Sequence, residues 1–380
     1  MTTHHPHQFR PPVSEPFGRL ADGTEIRRWS LANGGTRLSV LDYGGIVQSL
    51  ETPDRHGRHA NVSLGFGDLD GYLASDGFLG ALIGRYGNRI AEGRFKLDGT
   101  RHFLSAASGR HTLHGGAEGF DRRVWTVHGF ARDGDVGLVL TLTSPDGDMG
   151  FPGTLRVRVV YTLTASGAWR VDYEAVTDKP TVVNLTSHVY WNLAGESSGS
   201  VLDHELSLAA SRMTPVSTGL IPTGRLAPVA GTPFDFRRPT PVGSRIDADS
   251  PQLRHAGGYD HNWVLDKGVT AVPRPAATLR DPGSGRVMRV STTEPGIQFY
   301  SGNSLDGSPV GSGGRAYRRR DGLCLETQHF PDAPNQPAFP RTVLRPGGPA
   351  DSFLRRQTRV RRARAGGAAT AGRCQADRRQ

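Results

Sequence analysis

Between Val136 and Val176 the chain alternates apolar and polar residues with a period of two. Leu138, Leu140 and Leu142 make one apolar set. Leu155, Val157, Val159, Tyr161 and Leu163 make a second, interleaved with Arg156, Arg158, Val160 and Thr162. Trp169, Val171, Tyr173 and Ala175 make a third, interleaved with Arg170, Asp172 and Glu174. Successive side chains of a strand point to opposite faces, so each run describes a strand with one face buried. The intervening SPDGDMGFPG and TASG are rich in turn residues, and the segment reads as an antiparallel meander. No stretch of similar length shows the i, i+3, i+4 spacing of an amphipathic helix. The expected fold class is therefore all-β, a large antiparallel β-sandwich or barrel.

The 50 glycines and 26 prolines suit such a turn-rich chain, and 36% hydrophobic residues suffice for a core. No apolar run approaches the roughly 20 residues of a membrane helix, so no membrane partner is expected. MTTHHPHQFRPP has no apolar segment behind its charges and is read as a disordered lead-in over residues 1–12, not a secretory signal. The two cysteines, Cys324 and Cys374, form neither a disulfide framework nor a zinc spacing, which points to a reducing cytoplasm. A net charge of +10 suggests nucleic acid until it is located. Eleven arginines against two aspartates from Arg341 onward place +9 in the last forty residues and leave +1 for the other 340. The body is nearly neutral, so nucleic acid is not an expected partner. Residues 13–348 show no linker and no internal repeat, and read as one domain.

Several motifs fail on context. Gly195-Glu196-Ser197-Ser198-Gly199 fits a serine-hydrolase elbow, but that elbow needs a following helix, and SVLDHELSL alternates like a strand. No lysine follows a glycine, which excludes a P-loop. Gly65, Gly67 and Gly71 miss the dinucleotide spacing, and His204-Glu205 lacks the second histidine of a zinc protease. No metal or other cofactor is expected.

One stretch remains, NLTSHVYWNL from Asn184 to Leu193. Its β-branched and aromatic residues favour a strand. Alternation puts Asn184, Thr186, His188, Tyr190 and Asn192 on one face and Leu185, Val189, Trp191 and Leu193 on the other. Taken alone, this is a half-exposed strand with a structural histidine. In LCLETQ the same rule brings Glu326 out on a polar face with Cys324 and Gln328. His114, His188 and Glu326 thus fall in three separate β-like segments, with Arg89 and Asp260 in two more. A carboxylate facing an imidazole makes a general base and general acid near neutral pH. Arginine, asparagine, aspartate and aromatics around them suit a hydroxylated ring. Each also has a structural reading. Arg89 could hold a loop, Asp260 could be a turn residue, Trp191 and Trp263 read as core, and Cys324, with no base beside it, reads as inert.

The ordered set YGG, GRYGNRI, LHGG, NLTSHVYWNL, GTPFDFR, YDHNWVL, PGIQFY and LETQHFPDAPNQP resembles the aldose 1-epimerases, or galactose mutarotases, from about residue 16 to 346. The resemblance implies a single large antiparallel β-sandwich and interconversion of the α and β anomers of a free aldohexose, such as galactose or glucose, without cofactor. It implies His188 as proton donor, Glu326 as base and His114 as a hydrogen bond at the reacting end. Asn88, Arg89, Tyr190, Asp260 and Gln298 are implied sugar contacts. The alternatives are a non-catalytic carbohydrate-binding module, a sugar-phosphate epimerase using the arginines from Arg315 onward, or a glycoside hydrolase, which would want two carboxylates. The chain leaves the family pattern after Gly347. Residues 349–380 read as an arginine-, alanine- and glycine-rich tail, mostly disordered, with only Gln357 to Arg361 able to form a strand.

Overall fold

A computed structural model describes residues 11–106 and 108–347, together with the backbone of 354–362. Strands dominate, and the two α-helices among the described residues, Leu69–Ala74 and Pro251–Ala256, have six residues each. The expected meander is present. Thr126–Arg132, Asp135–Ser144, Leu155–Leu163 and Trp169–Thr177 pair antiparallel in sequence order. They form one side of a nine-stranded sheet that continues through Leu354–Arg362, Val287–Thr292, Arg274–Arg280, Glu205–Leu208 and Thr240–Pro241. A six-stranded sheet runs Tyr190–Trp191, Leu323–Gln328, Gly296–Tyr300, Asp260–Val264, Arg212–Thr214, Ala227–Pro228. The N-terminal strands from Val13–Arg19 to His59–Asn61 form a five-stranded meander.

The two larger sheets make the sandwich. Val157, Val159, Tyr161, Val171 and Tyr173 from the nine-stranded sheet share one core cluster with Trp191, Trp263, Ile297, Phe299, Leu323 and Leu325 from the six-stranded sheet. Trp191 and Trp263 are thus core residues. Because side chains alternate, committing Leu323, Leu325, Ile297, Phe299 and Trp263 inward turns Cys324, Glu326, Gln298, Tyr300, Asp260 and Asn262 to the opposite face. The register sets them side by side, with Glu326 opposite Gln298, Gln298 opposite Asn262, and Tyr300 opposite both Cys324 and Asp260. One row of polar and aromatic side chains on the outer face of this sheet becomes the floor of the site.

The structure departs from sequence expectation in two places. Asn184–Leu193 is not one continuous strand. Thr186–Ser187 pairs with Leu82–Ile83, whereas Tyr190–Trp191 pairs with Leu323–Gln328. His188 falls where the chain changes partners, its N–H donating to Ala81 O (2.9 Å) and its carbonyl accepting from Gly80 N (3.1 Å). Alternation survives the change, but both faces are buried, so the half-exposed reading fails. Asn184 and Asn192 serve the backbone: Asn184 Oδ1 accepts from His329 N–H at 3.0 Å, and Asn192 Nδ2 donates to Asp321 O at 2.9 Å.

The second departure is Leu354–Arg362. It is longer than the expected strand and lies in the middle of the nine-stranded sheet, paired with Trp169–Thr177 on one side and Val287–Thr292 on the other. Its backbone groups are laddered on both sides and so are satisfied by the sheet itself. The remaining expected disorder, at residues 1–10, 349–353 and 363–380, lies outside the described residues.

Candidate active site

The motif GRYGNRI supplies two arginines with different fates. Arg85 is buried and donates to the carbonyls of Ser144, Pro145, Pro152 and Gly153. It takes the loop-holding role considered for Arg89. Arg89 instead faces a cleft, 3.7 Å from the Asp260 carboxylate. Asn88 adopts φ 63° and its Oδ1 accepts from Arg89 N–H at 2.9 Å, which turns the backbone sharply at this point. The neighbouring LHGG turn is stitched to it: His114 N–H donates to Asn88 O at 3.0 Å, and Asn88 N–H donates to His114 Nδ1 at 3.2 Å. Gly115 is required here, since at φ 98° a Cβ would stand 2.0 Å from Gly84 O.

These residues and the sheet floor enclose a cleft of about 370 Å³, which suits a small ligand. Asn88, Arg89, His114, His188, Tyr190, Asp260 and Glu326, drawn from five distant sequence segments, all line it. Gln298 does not. It lies behind the wall, where its Nε2 donates to Asp260 Oδ1 at 2.7 Å and its Oε1 lies 3.4 Å from Gln328 Nε2. Asp260 is therefore held from below by an amide and faced by a guanidinium. Sequence reasoning missed Phe78, Tyr300, Asn303 and Ser304. Phe78 packs on the His114 ring at 4.7 Å between centroids, and Tyr300 lies 6.4 Å from His188. Tyr300 was discoverable, two residues from Gln298 on the same face. Phe78 carries no comparable signal.

Within the cleft, His188 Nε2 lies 3.8 Å from Glu326 Oε1. Both are buried, with relative exposures of 5% and 2%. Burial, with the nearby Asp260 charge, pushes the Glu326 carboxyl well above its ordinary range, against the pull of Arg89. Burial also lowers His188 to about 4. His114 is held well below 6.5, by burial first and then by His188 and Arg89. Glu326 Oε2 is buried with no hydrogen-bond partner among the described residues. An unpaired buried carboxyl oxygen costs about 1–3 kcal/mol, and a ligand hydroxyl placed there recovers it.

Cys324 is not isolated, contrary to the sequence reading: its Sγ lies 3.6 Å from His188 Nδ1. Burial, then Glu326, raises the thiol well above 9, so it stays protonated.

The donor atoms of His114, His188 and Glu326 lie within 4.8 Å of one another, close enough to suggest a metal. The His114 hydrogen bond argues otherwise. Its Nδ1 accepts from Asn88 N–H, so the neutral ring carries its proton on Nε2. A ligating histidine has the reverse arrangement, donating through its second nitrogen. His114 is a hydrogen-bond donor. Within residues 315–320, Arg315 pairs with Asp321, Arg319 donates to Gly257 O and Arg320 pairs with Asp247, and no arginine of this stretch lines the cleft.

An aldose 1-epimerase family model matches residues 27–355. Bovine (Bos taurus) galactose mutarotase is 43% identical over 332 residues, covering 87% of this chain and 94% of that protein. Aldose 1-epimerase of Escherichia coli K12 is 40% identical over 339 residues, covering 88% and 96%. Among solved structures, a galactose 1-epimerase from Lactobacillus acidophilus NCFM superposes with a TM-score of 0.81 at 26% identity, covering 93% of this chain and 98% of that one.

Proposed function

This chain is a member of the aldose 1-epimerase family, and on that footing we propose how its cleft interconverts the α and β anomers of a free aldohexose such as galactose or glucose. Glu326 is the base and His188 the acid. The observation that carries this is the buried Glu326–His188 pair, 3.8 Å apart, opening on a cleft lined by polar groups.

The pair works with one proton between its members. Burial favours that proton on Glu326 and a neutral His188. Moving it to His188 Nε2 creates the reactive state, a carboxylate beside an imidazolium. Glu326 then takes the proton from the C1 hydroxyl, the O1 electrons form the carbonyl, and the C1–O5 bond breaks towards O5. His188 Nε2 protonates O5. After rotation about C1–C2, O5 attacks the other carbonyl face, His188 takes back its proton and Glu326 returns one to O1. Proton count is conserved and no group is consumed. His114, a standing N–H donor, steadies oxygen at the reacting end. Arg89 and Asp260 hold hydroxyls away from it, and Gln298 positions Asp260. Phe78, Tyr190 and Tyr300 provide apolar ring surface.

A cytoplasmic setting fits Cys324, buried and unpaired. No helix among the described residues is long and apolar enough to cross a membrane. Polarimetry on freshly dissolved α-D-galactose and α-D-glucose tests the activity. The protein accelerates approach to the anomeric equilibrium, and an unchanged rate with both sugars contradicts the reading.

A further inference from the structure

For His188 to give a proton to O5 and take it back at the same atom, its other nitrogen must stay protonated throughout. A neutral imidazole has only one N–H. If that proton sits on Nε2, the ring has no vacant site facing the sugar. The ring is therefore competent only when something holds a proton on Nδ1, the role a carboxylate plays for the histidine of a hydrolase triad.

Beside the ring's contact with its own backbone carbonyl, the structure places a sulfur there. Cys324 Sγ lies 3.6 Å from Nδ1, within range for an N–H to sulfur contact. Its position follows from the ladder: Cys324 pairs with both Tyr190 and Tyr300, two residues from Glu326 on the same face. On the other side of the ring, Nε2 looks towards Glu326, whose Oε2 lacks a partner among the described residues.

We infer that the Cys324 thiol is a positioning group, whose sulfur accepts the His188 Nδ1–H and so confines proton exchange to Nε2. This rests on His188 being the acid. The thiol is neutral and a weak acceptor, so it orients the ring without stabilising the imidazolium as a carboxylate would. His188 therefore stays a strong acid while its tautomer is fixed. His114 provides the contrast 5.2 Å away, ring to ring. There a backbone N–H feeds Nδ1 and the proton lies on Nε2. The two histidines are held in opposite tautomers, one a standing donor and the other a proton exchanger.

The test is nitrogen NMR on histidine-labelled protein near neutral pH, with His188 resonances assigned by their loss in His188→Asn. Wild-type His188 shows the Nδ1–H tautomer and His114 the Nε2–H tautomer. Cys324→Ala shifts His188 towards Nε2–H and lowers kcat about tenfold, the low end for loss of a ring-orienting partner, with KM nearly unchanged. Cys324→Ser, whose hydroxyl is a stronger acceptor in almost the same volume, restores the tautomer and most of kcat. Its circular dichroism separates this result from a packing defect. Wild-type His188 in the Nε2–H form, or a Cys324→Ala enzyme with unchanged kcat, overturns the inference. Full activity in His188→Asn would instead remove the acid role itself while leaving the His114 tautomer readable.

Discussion

Gln298 stands directly opposite Glu326 in the sheet and donates its side-chain amide to Asp260 at 2.7 Å. The strand beside the proposed base thus supplies the group that aims the carboxylate proposed to hold the sugar. Gln298→Leu keeps the volume and removes that donor. One hydrogen bond to a charged group is worth ~1.5 kcal/mol, so kcat/KM should fall about tenfold, chiefly through KM. A change confined to kcat would mean that Gln298 acts on the reacting end.

Arg89 and Asp260 face each other at 3.7 Å, beyond hydrogen-bond distance, and both line the cleft. On the proposed reading each binds ligand hydroxyls. Arg89→Ala and Asp260→Ala should both lower kcat/KM, since a loosely held ring also leaves C1 poorly aligned. Steady-state kinetics matching wild type in both variants would show that the pair is structural.

The pH dependence follows from the buried pair. His188 is lowered to about 4, so its protonation on top of an already protonated Glu326 removes the base only near that pH. As pH falls, kcat/KM should hold through the usual imidazole range near 6.5 and drop as it approaches about 4. The alkaline limb reports loss of the single shared proton and belongs to Glu326, whose carboxyl is raised by burial. Rates corrected for spontaneous mutarotation check this, and an acid limb centred near 6.5 would contradict a desolvated His188.

Leu354–Arg362 bridges two halves of the nine-stranded sheet. Ending the chain after Gly347 removes it and leaves two unpaired strands facing a gap, so that product should fail to fold cooperatively or should aggregate. Ending the chain after Arg362 keeps the strand, and stability should stay within about 0.5 kcal/mol of full length with activity retained. Thermal unfolding of the two truncations decides this; a stable, active chain ending at Gly347 would show the strand to be dispensable.

The period-2 runs from Leu138 to Ala175 showed strands and their inward faces because alternation is a local property. The same rule put Glu326 and Cys324 on one side and Leu323 and Leu325 on the other, as found. It could not show that the chain changes sheets at His188, which depends on pairing with segments far away in sequence. Nor could it show that the tail strand, expected only at Gln357 to Arg361, runs from Leu354 to Arg362 and lies between two strands of the large sheet, since that depends on backbone pairing with distant segments. Phe78 and the Cys324–His188 contact were illegible for the same reason: they exist only once distant segments meet.

Glu326→Gln tests the central claim most directly. The amide keeps the shape but cannot take a proton from the C1 hydroxyl, and a general base contributes about 10²–10⁴ in rate. Polarimetry with α-D-galactose should show kcat reduced by at least about a hundredfold, with circular dichroism and thermal unfolding showing an intact fold. A folded Glu326→Gln protein that keeps more than about a tenth of wild-type activity would contradict the assignment of the base, since loss of a general base costs more than that.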